Sequence, residues 1–396
     1  MSGKHKKIFS KKDKLRVRKS YYTFTREYPK YIEVETTGRR ITPKTVRKAV
    51  LYCIAFLLIS SVSFFAVKLA INISYAPIEE VQQITQQTDL NDKILTQGLK
   101  ALYMPYEKMG DEEYIKDLIK QIKKKNANSV VIDFKTAEGR LCYTSLEENA
   151  IIASAALYDN DTARSAIGMF TQAGIAVAGR IYCFSDSRLA EAKGDVAVKY
   201  MGTEVNWLDG SDESGGKSWL NPYSKSVRNY IAGVAEEISN LGVGILILED
   251  LQFPSSENTS SATYPGEKDM QGRNAALRST LLKVKNSLPE KALLIVSQSA
   301  TDASQGNENI YYGTLSDIDY YGVAVDSAER PLGVAVDKKT DYISVLSMYS
   351  SVAGRFQGKT VIPIVDIQEY SRSYFRAMKK SGFESFILYS ANGEYK

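Results

Sequence analysis

Short apolar segments alternate with amphipathic segments from Gly98 to the end of the chain, and this alternation is the main structural signal in the sequence. The apolar segments have the length and composition of β-strands that are buried on both faces, as in parallel sheets. Eight of them are predicted as strands, over residues 98–105, 129–135, 175–184, 243–248, 292–299, 318–326, 359–366 and 384–390.

The segments between these strands predict helices. In Asp111–Asn126 the apolar residues from Tyr114 to Ile122 form one stripe, and acidic residues occupy the first turn. Further helices are predicted at 162–173, 227–241, 270–287, 342–353 and 374–380, with a long irregular loop at 185–224. This alternation predicts an α/β fold, a (β/α)8 TIM barrel over residues 98–396. An open doubly wound sheet is the alternative, but neither GxGxxG nor GxxxxGKS/T follows a strand.

An uncharged hydrophobic segment precedes the predicted barrel. Residues 49–67 carry no charge and are long enough to cross a bilayer as a helix. Residues 1–48 contain 16 Lys or Arg and 4 Asp or Glu, which predicts that they stay in the cytoplasm. The predicted organisation is a basic cytoplasmic tail at 1–48, a single transmembrane helix at 49–71, an extracellular stalk at 72–97 and the barrel at 98–396. A cleaved signal peptide is the alternative, but its leader would be shorter and no A-x-A site follows.

The charge of the chain is concentrated in that tail. Its 16 basic and 4 acidic residues give +12, so the total of +5 leaves −7 for the remainder. A basic tail beside a membrane span is expected to contact anionic lipid rather than nucleic acid. The sequence therefore predicts the cell membrane as a partner, and no nucleic acid.

The distribution of histidine and cysteine excludes several kinds of chemistry. The single histidine, His5, lies in the tail, so the predicted barrel has none. Ser–His–Asp and Cys–His catalysis, an HExxH zinc site and a histidine general base are therefore excluded from the barrel. Cys142 and Cys183 form no CxxC or zinc motif, and they could pair or remain free thiols. No cofactor or metal is predicted, and catalysis would have to use carboxylates, Lys, Tyr or Ser.

Polar residues at the predicted strand ends carry the candidate chemistry, because TIM-barrel active sites lie at the C-terminal ends of the strands. These residues are Asp133, Lys135, Arg180, Glu249, Asp250, Ser297, Ser299, Asp326, Asp366 and, after the last strand, Asn392. Glu249 and Asp250 are adjacent, so only one of them can face the barrel axis. Asp133 and Lys135 are two positions apart, which puts them on one strand face and allows an ion pair inside the barrel.

The 185–224 loop contains both tryptophans of the chain, Trp207 and Trp219. Exposed aromatic rings beside carboxylates suit sugars, which stack on the rings and hydrogen-bond through their hydroxyls. The same two residues could instead anchor the core of the loop.

Four motifs resemble those of a family of glycosyl hydrolase-like domains. VVIDFKTAEGRLCYTS (130–145) is similar to VIDvKdd-G-v-Y-S, and GIAVAGRIYCFSDSRLA (174–190) to GIYvIARIvvFkDp-LA. The loop segment that ends WLNPYS (219–224) and the closing ILYSANGEY (387–395) complete the resemblance. Family members are barrels distantly akin to the alpha-amylase type, in membrane-anchored or secreted proteins of Gram-positive bacteria.

The chain departs from the family pattern at three strand ends, and at the sixth strand GVAVDSA (322–328) replaces PMvYPSH. The family's fourth strand ends FDYvRFP, where this chain has LEDLQFP, so Glu249 replaces Asp, Asp250 replaces Tyr and Gln252 replaces Arg. The fifth-strand SAD is replaced by Ser297-Gln298-Ser299.

The resemblance implies an extracellular glycoside hydrolase that acts on cell-wall or other extracellular polysaccharide. Two-carboxylate catalysis would use Glu249 together with Asp366 or Asp326, and Asp250 is a less favoured partner. Substrate contacts are expected from Arg180, Asp133, Lys135, Trp207, Trp219, Tyr223 and Asn392. Two alternatives stay open: a catalytically inactive barrel that binds glycan or a cell-envelope partner, and a purely structural envelope protein.

Overall fold

The computed structural model describes residues 51, 52, 54, 89–153, 156–266, 272–299, 309–310, 323–326, 360–366, 380, 382–390 and 392–395. The chain divides into two compact units, Met1–Ala76 and Pro77–Lys396. Almost all of the described residues belong to the second unit, which contains the predicted barrel. Among the described residues, no helix is both long and apolar enough to cross a bilayer. The predicted span at 49–71 lies outside them except at residues 51, 52 and 54.

The second unit is built on eight parallel strands that pair in a closed ring, with the last strand beside the first. The strands are β1 Lys100–Met104, β2 Ser129–Lys135, β3 Ala176–Tyr182, β4 Ile245–Glu249, β5 Leu293–Ser299, β6 Val323–Asp326, β7 Val361–Asp366 and β8 Phe386–Tyr389. The predicted α/β class and TIM-like parallel sheet are therefore confirmed.

Helices follow the strands along the chain. They are α1 Glu112–Lys124, α2 Glu148–Ala153, α3 Asn160–Gln172, α4 Ser187–Ala192, α5 Lys225–Asn240 and α6 Arg273–Ser287. Side-chain caps fix several of their starts, since Asp111 accepts from the Tyr114 amide at α1 and Ser224 from the Val227 amide at α5. The helices predicted at 342–353 and 374–380 lie outside the described residues, except Lys380, and stay predictions.

Two apolar clusters lie on opposite sides of the strand ring. The inner cluster fills the barrel and consists of Leu90, Ile94, Leu99, Ala101, Tyr103, Val131, Ala176, Ala178, Ile245, Ile247, Leu293, Ile295, Ile362, Ile364 and Ile387. The outer cluster lies between the strands and the helices, and it takes the alternate strand positions, such as Val130 and Leu246. This period of two determines which strand residues face the barrel axis.

A helical segment at 89–97 covers the N-terminal end of the barrel. Its Leu90 and Ile94 belong to the inner cluster. The Asn91 side chain donates to the carbonyls of Gly244, at 2.8 Å, and Lys291, at 3.1 Å, which precede β4 and β5. The last residues of the predicted stalk at 72–97 are thus part of the barrel.

A bulge in β2 separates Asp133 from Lys135. Asp133 pairs with Arg180 on β3, whereas Lys135 pairs with the next residue, Ile181, so β2 contains one extra residue between them. The extra residue turns Lys135 toward the outer layer, where its ammonium lies 3.0 Å from the Asp186 carboxylate. The predicted ion pair between Asp133 and Lys135 is therefore wrong.

The Lys135–Asp186 ion pair is a buried structural element. Its two side chains are 1% and 0% exposed. The Tyr230 hydroxyl also donates to Asp186, at 3.0 Å, and the Leu189 amide donates to it at the start of α4. Gly139 has a φ of 87°, and a Cβ there would overlap the Asp186 carboxylate, which explains the glycine in this motif.

We expect Lys135→Met to lower the free energy of unfolding by about 3–5 kcal/mol, because it leaves a buried carboxylate without its cation. Lys217→Met is the matched control, since it breaks an ion pair with Glu138 whose side chains are 46% and 54% exposed. That change should cost about 1 kcal/mol or less. Urea unfolding of both variants measures the difference, and equal losses would contradict the structural role of Lys135.

Candidate functional site

The polar inner residues lie at the C-terminal ends of β2, β3 and β4. Asp133 and Arg180 are register partners, and Tyr182 pairs with Glu249 one layer further on. All four follow inner-cluster positions by steps of two, so they continue the inner face beyond the apolar filling. We call this end of the barrel the mouth.

Arg180 holds Asp133 through a two-point contact. Its Nε lies 2.5 Å from one carboxylate oxygen and its Nη2 lies 3.0 Å from the other. The Tyr103 hydroxyl donates to the same carboxylate at 2.9 Å. This parallel arrangement is the strongest form of arginine–carboxylate pairing, and it commits Asp133 to Arg180.

Three tyrosine rings surround the guanidinium. Its central carbon lies 5.3 Å from the ring centres of Tyr103 and Tyr182 and 5.7 Å from that of Tyr389. Contact with aromatic faces stabilises a cation that has lost water. Burial, together with the neighbouring Asp133, raises the pKa of Tyr103 well above its usual value, so its hydroxyl stays protonated and donates.

Glu249 ends β4 on the inner face and is the most accessible acid of this group. One carboxylate oxygen lies 3.8 Å from Arg180 Nη1, and the side chain is 17% exposed, against 8% for Asp133. The distance from Arg180 to Glu249 is longer than the distance from Arg180 to Asp133. Arg180 is therefore paired tightly with Asp133 and lies beside Glu249. Glu249 is thus placed to meet a ligand that enters the mouth.

Asp250 takes a different direction from Glu249, as adjacent strand residues must. Its φ is 48°, in the left-handed region, where the chain leaves β4. Its carboxylate accepts a hydrogen bond from Ser185, in the loop after β3. Burial raises the pKa of Asp250, and the Ser185 hydrogen bond and nearby cations offset only part of this effect.

Asp326 and Asp366 are placed by their backbone register. Asp326 pairs with Ile364, and Asp366 pairs with Tyr389. Ile364 belongs to the inner cluster, and Tyr389 packs against it, so both aspartates occupy inner-face positions at the mouth end of β6 and β7. The register therefore brings these two positions to the same end of the barrel as Glu249.

The aromatic residues of the 185–224 loop are buried. Trp207 is fully buried and its indole donates to the Asn258 carbonyl, whereas Trp219 is 9% exposed and donates to Asp209. Tyr223 packs on Phe253, with ring centres 5.1 Å apart. Of the two alternatives for these tryptophans, the exposed sugar platform is wrong and the anchor of the loop core is supported, because the loop folds on itself through isolated bridges and buries both rings. Asn392 is exposed, and its side chain accepts from Ser390 and from the Glu394 amide.

Several residues at the mouth were not predicted from the sequence. Tyr103, Tyr182 and Tyr389 surround Arg180, but the chain contains 26 tyrosines and their number hides these three. Extending the period-two pattern from the inner apolar residues would have selected them. Cys142 and Cys183 are buried free thiols. Within the described residues, no group of three or more His, Cys, Asp and Glu is arranged to hold a metal ion.

A parallel α/β barrel with polar residues at the C-terminal ends of its strands is typical of TIM-like barrel proteins. The family model described as "Putative glycosyl hydrolase domain" matches residues 101–301, just over half of the chain. The chain belongs to this family. Among curated proteins, none matches the chain significantly.

Solved structures match this chain at low identity. The glycoside hydrolase domain of PgaB (BpsB) from Bordetella bronchiseptica is 11% identical, over 74% of this chain and 95% of that domain, with a TM-score of 0.55. A hypothetical protein from Ruminiclostridium thermocellum is 22% identical, over 49% of this chain and 96% of that protein, with a TM-score of 0.43. A GH20 exo-beta-N-acetylglucosaminidase from Vibrio harveyi is 12% identical, over 67% and 41%, with a TM-score of 0.43. Of these three, the Bordetella domain alone is similar enough to support the fold.

We expect the partly buried Asp250 carboxyl to make folding stability depend on pH. A carboxyl whose pKa is raised on folding binds its proton more tightly in the folded state, so stability falls as the pH rises above about 4, the unfolded value. Asp250→Asn removes this dependence. The unfolding free energy of the wild type minus that of the variant should therefore decrease between pH 4 and neutrality.

Urea unfolding at a series of pH values measures this difference. Asp117→Asn, at an exposed position of α1, is the reference for removing one negative charge. A difference that increased with pH would contradict the assignment.

Proposed function

We propose that this protein is a membrane-anchored extracellular glycoside hydrolase that cleaves cell-wall or other extracellular polysaccharide with two carboxyl groups. The observation that carries the proposal is the position of Glu249, an accessible acid on the inner face at the barrel mouth, beside Arg180. Family membership supports the same class of reaction. Glycosidic cleavage needs a carboxyl pair on either side of the bond.

Glu249 is one carboxyl of the proposed pair, and Asp366 or Asp326 is the other. In such a pair one carboxylic acid protonates the leaving oxygen, while the other carboxylate activates water or attacks the sugar carbon. The register of β6 and β7, in which both aspartates end their strands on the inner face, supports this pairing. Asp133 is a poorer candidate because Arg180 and Tyr103 already occupy its oxygens. Asp250 is poorer because it bonds to the loop after β3.

Arg180 acts in this proposal as a positioning residue. Its Nε and Nη2 are bound to Asp133, which fixes the plane of the guanidinium and leaves Nη1 next to Glu249. A fixed cation at this distance restrains the carboxylate in one place without covering it.

A catalytically inactive barrel that binds glycan is the second candidate. It is favoured by Gln252 and by Ser297-Gln298-Ser299, which stand where the family pattern has an arginine and an acid. Such a protein would retain glycan at the mouth and release no product.

The proposed location rests on the sequence of the N-terminal unit. Residues 49–71 would cross the membrane once, with the basic tail on anionic lipid in the cytoplasm and the barrel outside. Protease added to intact cells should then digest the barrel and leave a tag on residue 1 intact. Loss of the tag together with an intact barrel would contradict this orientation and indicate the opposite one.

We expect Glu249→Gln to abolish the release of reducing ends from polysaccharide, with a loss of at least about a hundredfold, because the amide can neither donate a proton as an acid nor attack. The full-length protein would be incubated with peptidoglycan, teichoic-acid-bearing walls and a panel of polysaccharides. Glu236→Gln, at an exposed position of α5, is the matched control and should keep full activity.

The outcomes separate the two candidate functions. Product from the wild type and from Glu236→Gln, but not from Glu249→Gln, supports the hydrolase. Equal turnover by Glu249→Gln would remove Glu249 from the mechanism. Retention of a glycan with no product from any form would favour the inactive binding protein.

A further inference from the structure

Ser297 carries a buried hydroxyl that has no hydrogen-bond partner among the described residues. The residue is 2% exposed. A buried hydroxyl without a partner costs free energy, and native proteins retain few of them. A functional role for the Ser297 hydroxyl would explain why the chain retains it despite this cost.

The strand pattern places Ser297 on the inner face of the barrel, next to Glu249. Leu293 and Ile295 belong to the inner cluster, and Ser297 follows them by the same step of two along β5. The register of β4 with β5 runs to Leu248 and Val296, and continuing it by one residue sets Glu249 beside Ser297. Side chains on one face of adjacent strands lie about 5 Å apart.

The surroundings of Ser297 differ from those of the other polar residues on the inner face of the barrel. Asp133 has its oxygens occupied by Arg180 and Tyr103. On β6, the register partner of Ser297 is Ala324, a residue type that offers no side-chain hydrogen bond. Among the described residues, the Ser297 hydroxyl therefore has no partner, and its strand position faces the barrel interior beside Glu249.

From this geometry we infer that Ser297 is a substrate-binding residue whose hydroxyl bonds a sugar hydroxyl held next to Glu249. A serine hydroxyl can donate one hydrogen bond and accept others, which matches a sugar hydroxyl, itself both donor and acceptor. This inference rests on the proposed function, since it assumes that glycan occupies the mouth. It adds a contact from β5, where the family's acid is absent from this chain.

Ser297→Ala should change binding and stability in opposite directions. Without glycan, the variant should be as stable as the wild type or more stable, because the substitution removes an unsatisfied buried hydroxyl. Its affinity for glycan should fall roughly three- to tenfold, the worth of one net hydrogen bond. A residue that serves folding alone would not show this combination.

Ser385→Ala is the matched control. Ser385 is also buried, but it lies at the opposite end of the barrel, where its hydroxyl accepts from the Leu99 amide at 3.0 Å. Its replacement should lower the unfolding midpoint and leave glycan affinity unchanged, because it strands a backbone donor far from the mouth.

The experiment is calorimetric titration of the full-length protein and both variants with soluble peptidoglycan glycan strands and soluble polysaccharides, beside urea unfolding without glycan. Weaker binding by Ser297→Ala alone, without loss of stability, supports the inference. Equal binding by Ser297→Ala and wild type overturns it and leaves the proposed function standing. If the wild type binds no glycan, the proposed function fails and the Ser297 assignment fails with it.

Discussion

The contact between Arg180 and Asp133 is the interaction on which the rest of the mouth depends. A guanidinium inside a barrel is tolerated only when its charge is paired and its N–H groups are bonded. Asp133 supplies two hydrogen bonds, and three tyrosine rings supply the remaining surroundings. Because this pairing uses Asp133 fully, Glu249 is left as the accessible acid of the cluster.

The β2 bulge gives the barrel a second, separate ion pair. One extra residue between Asp133 and Lys135 sends the acid to the inner face and the lysine to the outer layer. There Lys135 and Asp186 join β2 to the start of α4 and to Tyr230 of α5. Asp133 and Lys135, which look like one ion-pair site in the sequence, therefore belong to two different sites. Lys135 forms the buried structural pair with Asp186, and Asp133 belongs to the cluster at the mouth. The same loop that contains Asp186 also contains Ser185, which holds Asp250.

Much of the fold could be predicted from the chain because it follows from local pattern. The sequence predicts the strand at Ser129–Lys135 to the residue, from the apolar residues Val130–Ile132 and Phe134. The position of Glu249 on one face and Asp250 on another follows from the period of two. Bulges and loop packing are different, because they depend on residues distant in sequence. The bulge at β2 could not be predicted for that reason, and the sequence left open whether Trp207 and Trp219 are exposed or anchor the core of the loop.

The site was only partly predictable for the same physical reason. Arg180 and Asp133 were expected at the mouth from the strand ends, and they are in contact there. Their tyrosine neighbours come from β1, β3 and β8, strands that meet only when the sheet closes. The pairing of Glu249 with Asp366 or Asp326 stays a prediction, as do the membrane span and the cell-wall substrate.

Asp133 is committed to Arg180 by two hydrogen bonds, and we propose that Glu249 is the carboxyl that meets glycan. Carbodiimide labelling of the full-length protein, followed by mass spectrometry of its peptides, compares the two acids directly. We expect Glu249 to be labelled, Asp133 to remain unlabelled, and bound glycan to protect Glu249. Labelling of Asp133 as fast as Glu249, or no protection of Glu249 by a glycan that binds, would contradict it.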